Sequence, residues 1–203
     1  RAQPVSAGSV SSEHEKKQVE VLRLIQAFRL QGHQAAQLDP LGLWKRQPPA
    51  DLLLNHYGLT DADLDTTFRT GELFIGKEEA TLREIRDALQ ETYCHTVGAE
   101  FMHISEVEQR QWIYKKLEAA GGNYQLDADT QRRTLERLTA AEGLERYLHT
   151  KYVGQKRFSL EGGETFIASI DEIIQRAGEK GVQEIVIGMA HRGRLNVLVN
   201  TLG

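Results

Sequence analysis

Several large classes of protein are excluded by what this chain lacks. Cys94 is its single cysteine in 203 residues, so no disulfide can close within it. That favours a reducing compartment and makes the cytosol the simplest expectation. No stretch approaches the roughly 18 consecutive apolar residues that a membrane-crossing helix needs, and the first residues carry no hydrophobic signal core. Positive charge is not in surplus, since 25 Lys and Arg stand against 29 Asp and Glu, for a net charge of −4. Neither nucleic acid nor an anionic membrane is therefore expected as a partner, and any anion must be held by a local cluster. No Gly-x-Ser-x-Gly elbow occurs, so hydrolase chemistry has no support.

What is present reads as ordinary globular composition, 40% hydrophobic and 27% charged. Small polar residues fill the start of the chain, and residues 1–16 are expected to be a flexible linker. Ser12 and Glu15 have capping-box spacing, and Val21, Leu24, Ile25 and Phe28 then recur at helical intervals up to Gly32. Pro40 in Leu38-Asp39-Pro40-Leu41-Gly42 forces a turn. Thr60, Thr81, Ser105 and Thr139 each signal a further helix start, and Gly121-Gly122-Asn123 marks a break. A helical domain is thus expected over 17–120.

From 121 to 203 the rhythm changes. A helix through Phe166, Ile167, Ile170, Ile173 and Ile174 leads past Gly181 into the apolar run Glu184 to Met189, which reads as a buried strand. A polar loop and a helix from Leu195 follow. This is the order of a parallel α/β sheet, so the fold class expected is α/β overall, with a helical domain followed by the start of an α/β domain. The chain opens on Arg1 and closes on an apolar, helix-like run, and is expected to be a fragment.

The loop Ala190-His191-Arg192-Gly193-Arg194 stands where α/β sheets gather ligands, just past the carboxyl end of a strand. His191 can exchange a proton near neutral pH, and Arg192 and Arg194 can fork onto carboxylate or phosphate. The alternative is that these arginines pair with acidic neighbours and His191 caps the strand. Lys156-Arg157-Phe158-Ser159-Leu160-Glu161-Gly162 places a cation beside an aromatic, which suits an acid-binding pocket or, equally, a surface base next to a core anchor. Cys94, His95, Glu100 and His103 match no zinc spacing, so no metal site is assigned. His33 beside the proline turn reads as a buried histidine satisfied by backbone carbonyls.

Five ordered blocks together resemble one family. They are Gly32-His33 with Leu38 to Gly42, Gly98-Ala99-Glu100-Phe101-Met102-His103-Ile104, Thr139-Ala140-Ala141-Glu142-Gly143-Leu144-Glu145, Lys156 to Gly162, and Gly188-Met189-Ala190-His191-Arg192-Gly193-Arg194-Leu195-Asn196-Val197-Leu198. Over roughly Lys17 to Gly203 the chain is similar to the E1 component of 2-oxoglutarate dehydrogenase. The resemblance implies an amino-terminal part of the catalytic subunit of a homodimer that binds thiamine diphosphate and Mg2+. That subunit decarboxylates 2-oxoglutarate, a tricarboxylic acid cycle reaction, and passes the succinyl group to the lipoyl arm of the E2 dihydrolipoyl succinyltransferase. It implies a cytoplasmic enzyme in a bacterium, or a mitochondrial matrix one in a eukaryote. By the same resemblance, His191 contacts substrate and handles a proton, Arg192 lies against the cofactor, and Phe158 with Arg157 shapes the substrate entrance. The family's Gly-Asp-Gly to Asn magnesium motif does not occur here, so these residues alone are expected to be inactive. Two other readings stay open. One is an E1 acting on 2-oxoadipate, which differs by one methylene and about 1 kcal/mol of discrimination; the other is a non-catalytic helical interaction module.

Overall fold

Val21, Leu24, Ile25 and Phe28 are all buried on one face of α1, Ala7–Ala35, as their spacing requires. The computed structural model describes residues 7–122 and 124–203, so 1–6 of the expected linker and the Asn123 of the glycine break lie outside the described residues. Residues 7–16, expected to be a flexible linker, are helical instead, and Ser12 lies within α1 rather than at its start. The reason is anchoring further along the same helix. His14 stacks on Phe68 with ring centroids 5.1 Å apart, Lys17 Nζ lies 2.7 Å from Asp63 Oδ1, and the Gln18 side chain both donates to the Arg69 carbonyl and accepts from the Arg69 N–H. Once a helix is nucleated, each added residue gains a hydrogen bond without repeating the nucleation cost.

The chain divides into two units, Arg1–Tyr124 and Gln125–Gly203. In the first, Thr60 begins a single 3-10 turn, Asp61–Asp63, and not the α-helix expected. The reciprocal bonds of Thr60 and Asp63 are made, but the following Thr66-Thr67-Phe68 run is stiff and β-favouring. It enters β1, Thr67–Arg69, which pairs antiparallel with β2, Glu79–Thr81, in the register Phe68 opposite Ala80. Thr81 then caps α2, Leu82–Tyr93, with the capping box its sequence announces. Helix α3, Val107–Ala120, starts from Glu106 and not from Ser105, without a side-chain cap bond. Leu82, Ile85, Leu89 and Tyr93 of α2 join the buried face of α1 in one core. The two helices approach so closely that a Cβ at Gly32 would stand 2.5 Å from the Tyr93 Cβ.

At the centre of this core lies an ion pair that no sequence spacing announced. Arg29 of α1 donates to both carboxylate oxygens of Glu118 of α3, at 2.7 and 3.0 Å. Tyr93 Oη donates to Glu118 at 2.7 Å, the Phe74 N–H donates at 3.0 Å, and the Arg29 guanidinium lies 3.8 Å from the Tyr114 ring centroid. A buried pair persists when its remaining valences are satisfied in this way.

The second unit is built on α4, Ala128–Lys151, and α5, Thr165–Glu179. Thr139 does not start a helix. It lies mid-α4 with its hydroxyl donated back to the Leu135 carbonyl, and the cap is Asp127, which accepts from the N–H groups of Asp129 and Thr130. The run 184–189 is not a strand. Among the described residues it has no ladder partner, and Val186 is 95% exposed. A strand is stabilised by its neighbours, and the described residues supply none here. Helix α6, Arg194–Val197, continues as a wide turn over Leu198–Leu202, close to the expected start at Leu195. The chain is thus mostly helical with one small antiparallel sheet among the described residues, and the parallel α/β sheet expected for 121–203 is not formed by them.

Candidate functional site

The two segments singled out for chemistry meet within the second unit. The Gly193 N–H donates to the Phe158 carbonyl at 2.8 Å, and Arg192 Nη1 donates to the Ser159 carbonyl at 3.0 Å. These bonds bring the Phe158 ring against His191, with centroids 4.0 Å apart. Lys156 Nζ stands 5.6 Å and the Arg194 guanidinium 5.9 Å from the centroid of the same ring. One aromatic is therefore flanked by an imidazole and two cations, a setting in which cation–π attraction and shared positive charge suit an anionic group. The turn depends on Gly193, whose φ of 75° places it in the left-handed region. A Cβ there would lie 2.5 Å from the Leu160 Cδ1.

Charge is distributed unevenly across the cluster. Arg157 is committed, with Nε 3.5 Å from Glu145 Oε2 and Nη2 3.6 Å from Glu161 Oε1. Arg192 and Arg194 form no ion pair among the described residues. His191, Arg192 and Arg194 are exposed and Phe158 is half-buried, so the cluster is an open face. Of the four residues named from the sequence, Phe158, His191 and Arg192 are brought together, whereas the Arg157 guanidinium turns toward carboxylates.

Sequence reasoning missed Glu145. This α4 residue is 3% exposed and collects the Leu160 N–H, the Asn196 amide and the Arg157 guanidinium. A glutamate inside a helix is usually solvated, and only its place in the block Thr139 to Glu145 set it apart.

The other residues weighed from the sequence lie elsewhere, in the first unit. Cys94 follows α2, and burial pushes its thiol up to about 11, which leaves it protonated and unreactive at neutral pH. His95 faces Glu91 at 3.7 Å. Among the described residues no three His, Cys, Asp or Glu side chains converge. His33 is not satisfied by carbonyls as expected: its Nδ1 is buried without a hydrogen-bond partner among the described residues, and its Nε2 is 3.8 Å from Glu100. Gly98 packs against this residue, since a Cβ there would stand 3.6 Å from the His33 Cβ. Asp39 fixes the proline turn by accepting from the Trp44 and Leu41 N–H groups, and these bonds, that of Trp44 above all, hold its carboxyl below the usual range.

No family profile matches the chain. Similarity to individual proteins is high. The chain is 68% identical over all of its 203 residues to the 2-oxoglutarate dehydrogenase E1 component of Azotobacter vinelandii, 22% of whose length it covers. It is 55% identical over 96% of its length to that of Cupriavidus necator, and 44% identical over 92% to that of Haemophilus influenzae, covering 20% of each. Along nearly its whole length the chain is similar to 2-oxoglutarate dehydrogenase E1 components. It spans about a fifth of the length of these relatives. No helix among the described residues is long and apolar enough to cross a membrane.

Proposed function

We propose that the chain is part of an E1 subunit that oxidatively decarboxylates 2-oxoglutarate and hands the succinyl group to the lipoyl arm of an E2 succinyltransferase. The observation that carries this reading is the Phe158–His191 contact beside two arginines without carboxylate partners among the described residues, in a chain whose own 203 residues are all matched by an E1 component. A homodimer in the bacterial cytoplasm, with 121–203 completed by further sequence into a parallel α/β domain for thiamine diphosphate, is the expected setting.

The residues present fit an anionic cofactor in part. Arg192 and Arg194 offer guanidiniums with free donors for a diphosphate or a 2-oxo acid carboxylate. They do not fit magnesium, because the carboxylate and amide oxygens it prefers do not converge among the described residues. When bound, thiamine diphosphate supplies the electron sink for decarboxylation. The chain's own residues act around that. Arg192 meets negative charge on the cofactor, His191 hydrogen-bonds substrate and moves a proton at an imidazole nitrogen, and Phe158 excludes water from one side. Arg157 supports this face by neutralising Glu145 and Glu161 rather than by reaching substrate directly.

The test is His191→Ala in the full-length E1, with ferricyanide as electron acceptor. Decarboxylation should fall on the order of 100-fold or more, the usual cost of losing a positioned proton donor, while thermal stability stays unchanged because an exposed loop imidazole supports no core. Arg192→Ala should weaken thiamine diphosphate binding more than it raises KM for 2-oxoglutarate. Undiminished turnover by His191→Ala would remove the catalytic assignment.

A further inference from the structure

We propose that Glu145 is the positioning residue of this cluster, a buried carboxylate on α4 that sets Phe158 against His191; the inference rests on the reading of the cluster given above. Two segments separated by some thirty residues keep a ring-to-ring distance of 4.0 Å; the Gly193–Phe158 and Arg192–Ser159 hydrogen bonds tie them to each other, and holding the joined loops in one place calls for a rigid element that references both. Glu145 references both with one oxygen. Its Oε1 accepts from the Leu160 N–H at 3.0 Å and from Asn196 Nδ2 at 3.1 Å. Leu160 lies two residues beyond Phe158, and Asn196 lies in α6, which begins just after the His191 to Gly193 turn.

The amide of Asn196 cannot turn away. Its Nδ2 also donates to the Ala141 carbonyl at 2.9 Å, and its Oδ1 accepts from Asn200 Nδ2 at 2.7 Å. Asn196 is fully buried. The second oxygen of Glu145 faces Arg157 Nε at 3.5 Å, and the Glu145 backbone carbonyl takes Arg157 Nη2 at 3.3 Å. Each partner of this carboxylate among the described residues is a donor, so neither an apolar residue nor a glutamine can replace it without leaving a buried donor unpaired or setting amide against guanidinium. Its acceptor sites are occupied by the protein itself. It therefore acts through Phe158 and His191 and not on the substrate.

The experiment uses the full-length E1 with Glu145→Gln. A displacement of about 1 Å at a reacting group can cost on the order of 100-fold, so kcat/KM for 2-oxoglutarate with ferricyanide should fall about 10- to 100-fold. KM should rise in the same variant, which a mere reduction in folded enzyme could not produce. Combined with His191→Ala, the substitution should lower the residual rate by less than about 3-fold, because residues that act as a unit are not additive. If Glu145→Gln does not yield folded protein, Asn196→Ala cuts the same tie from the α6 side and is expected to give the same cycle. An unchanged KM, or a full loss repeated in the His191→Ala background, overturns the assignment of Glu145. Full turnover by His191→Ala alone overturns the reading of the site instead, and so separates the two failures.

Discussion

Glu118 in the first unit and Glu145 in the second are both helical glutamates withdrawn from solvent, and each collects donors from segments distant in sequence. Their surroundings differ. Glu118 is enclosed by an apolar core to which Phe28, Leu89, Tyr93 and Tyr114 all contribute. Glu145 sits beside a small cluster, Ala141, Leu160, Ile167 and Val197, while Ile185, Val186, Leu198 and Val199 of the same unit stand exposed. In the first unit, hydrophobic burial supplies the stability and the ion pair is fixed inside it. In the second, the polar frame does the organising, because too little apolar surface is covered for packing to do so. A polar frame holds geometry well and tolerates an open face, which is what a site needs.

The largest effect should come from breaking the first unit's pair. Glu118→Gln leaves the Arg29 guanidinium buried without its counter-charge, and losing one partner of a buried pair typically costs about 3–5 kcal/mol. Urea denaturation followed by tryptophan fluorescence would measure it; a loss below about 1 kcal/mol would mean that the core relaxes to admit water, and the contrast between the units would weaken. A substitution in the second unit should cost less. Gly193→Ala must take a residue with a Cβ into the left-handed region against buried Leu160, at about 1–3 kcal/mol. It should also open the Phe158 to Gly193 hydrogen bond, visible as faster amide exchange at Gly193.

How far the sequence announces these features depends on whether their physics is local. Thr81-x-x-Glu84 is read correctly because both partners of a capping box lie within one turn. Thr139-x-x-Glu142 has the same spacing and misleads, since a threonine inside a helix can donate to the carbonyl four residues back just as well. The helix periodicity of Val21 to Phe28 is legible for the same local reason, and the strand expected at 184–189 is not, because its existence depends on neighbours that no short window contains. The site divides likewise. His191, Arg192 and Phe158 are recognisable by type and by resemblance, whereas Glu145, Asn196 and the Arg29–Glu118 pair gain their roles only from contacts made across 51 and 89 residues.

A smaller effect, confined to the first unit, concerns pH. The Lys77 ammonium, with help from the Thr81 N–H and hydroxyl, holds the Glu84 carboxyl down from 4.5 to about 2. A depressed carboxyl contributes stability that is complete above its unfolded value and is lost as pH falls through the folded one. The thermal midpoint of the first unit should therefore decline between pH 4.5 and about 2. In Glu84→Gln that decline should be shallower, with the second unit's transition unaffected. Equal slopes in the two proteins would show that Glu84 is not among the groups that titrate with unfolding.

The smallest effect sharpens the comparison most. Val186 is 95% exposed in a run of Ile, Val and Ile that has no ladder partner among the described residues, so Val186→Ser in the 203-residue chain should change stability by no more than about 0.5 kcal/mol, as substitutions on open surface do. In a full-length E1, of which this chain spans about a fifth, the same run is expected to be an inner strand covered on both faces. Burying valine there is worth roughly 1.5–3 kcal/mol, and serine would in addition need a hydroxyl partner. Melting curves of the two proteins, each with and without the substitution, would read the difference directly. A large effect confined to the full-length protein means that the second unit's sparse core is completed by sequence outside these residues, and that its polar frame is the part of the site already in place before that cover arrives. A negligible effect in both would mean that the run 184–189 stays at the surface, and the parallel α/β reading of 121–203 would lose its central strand.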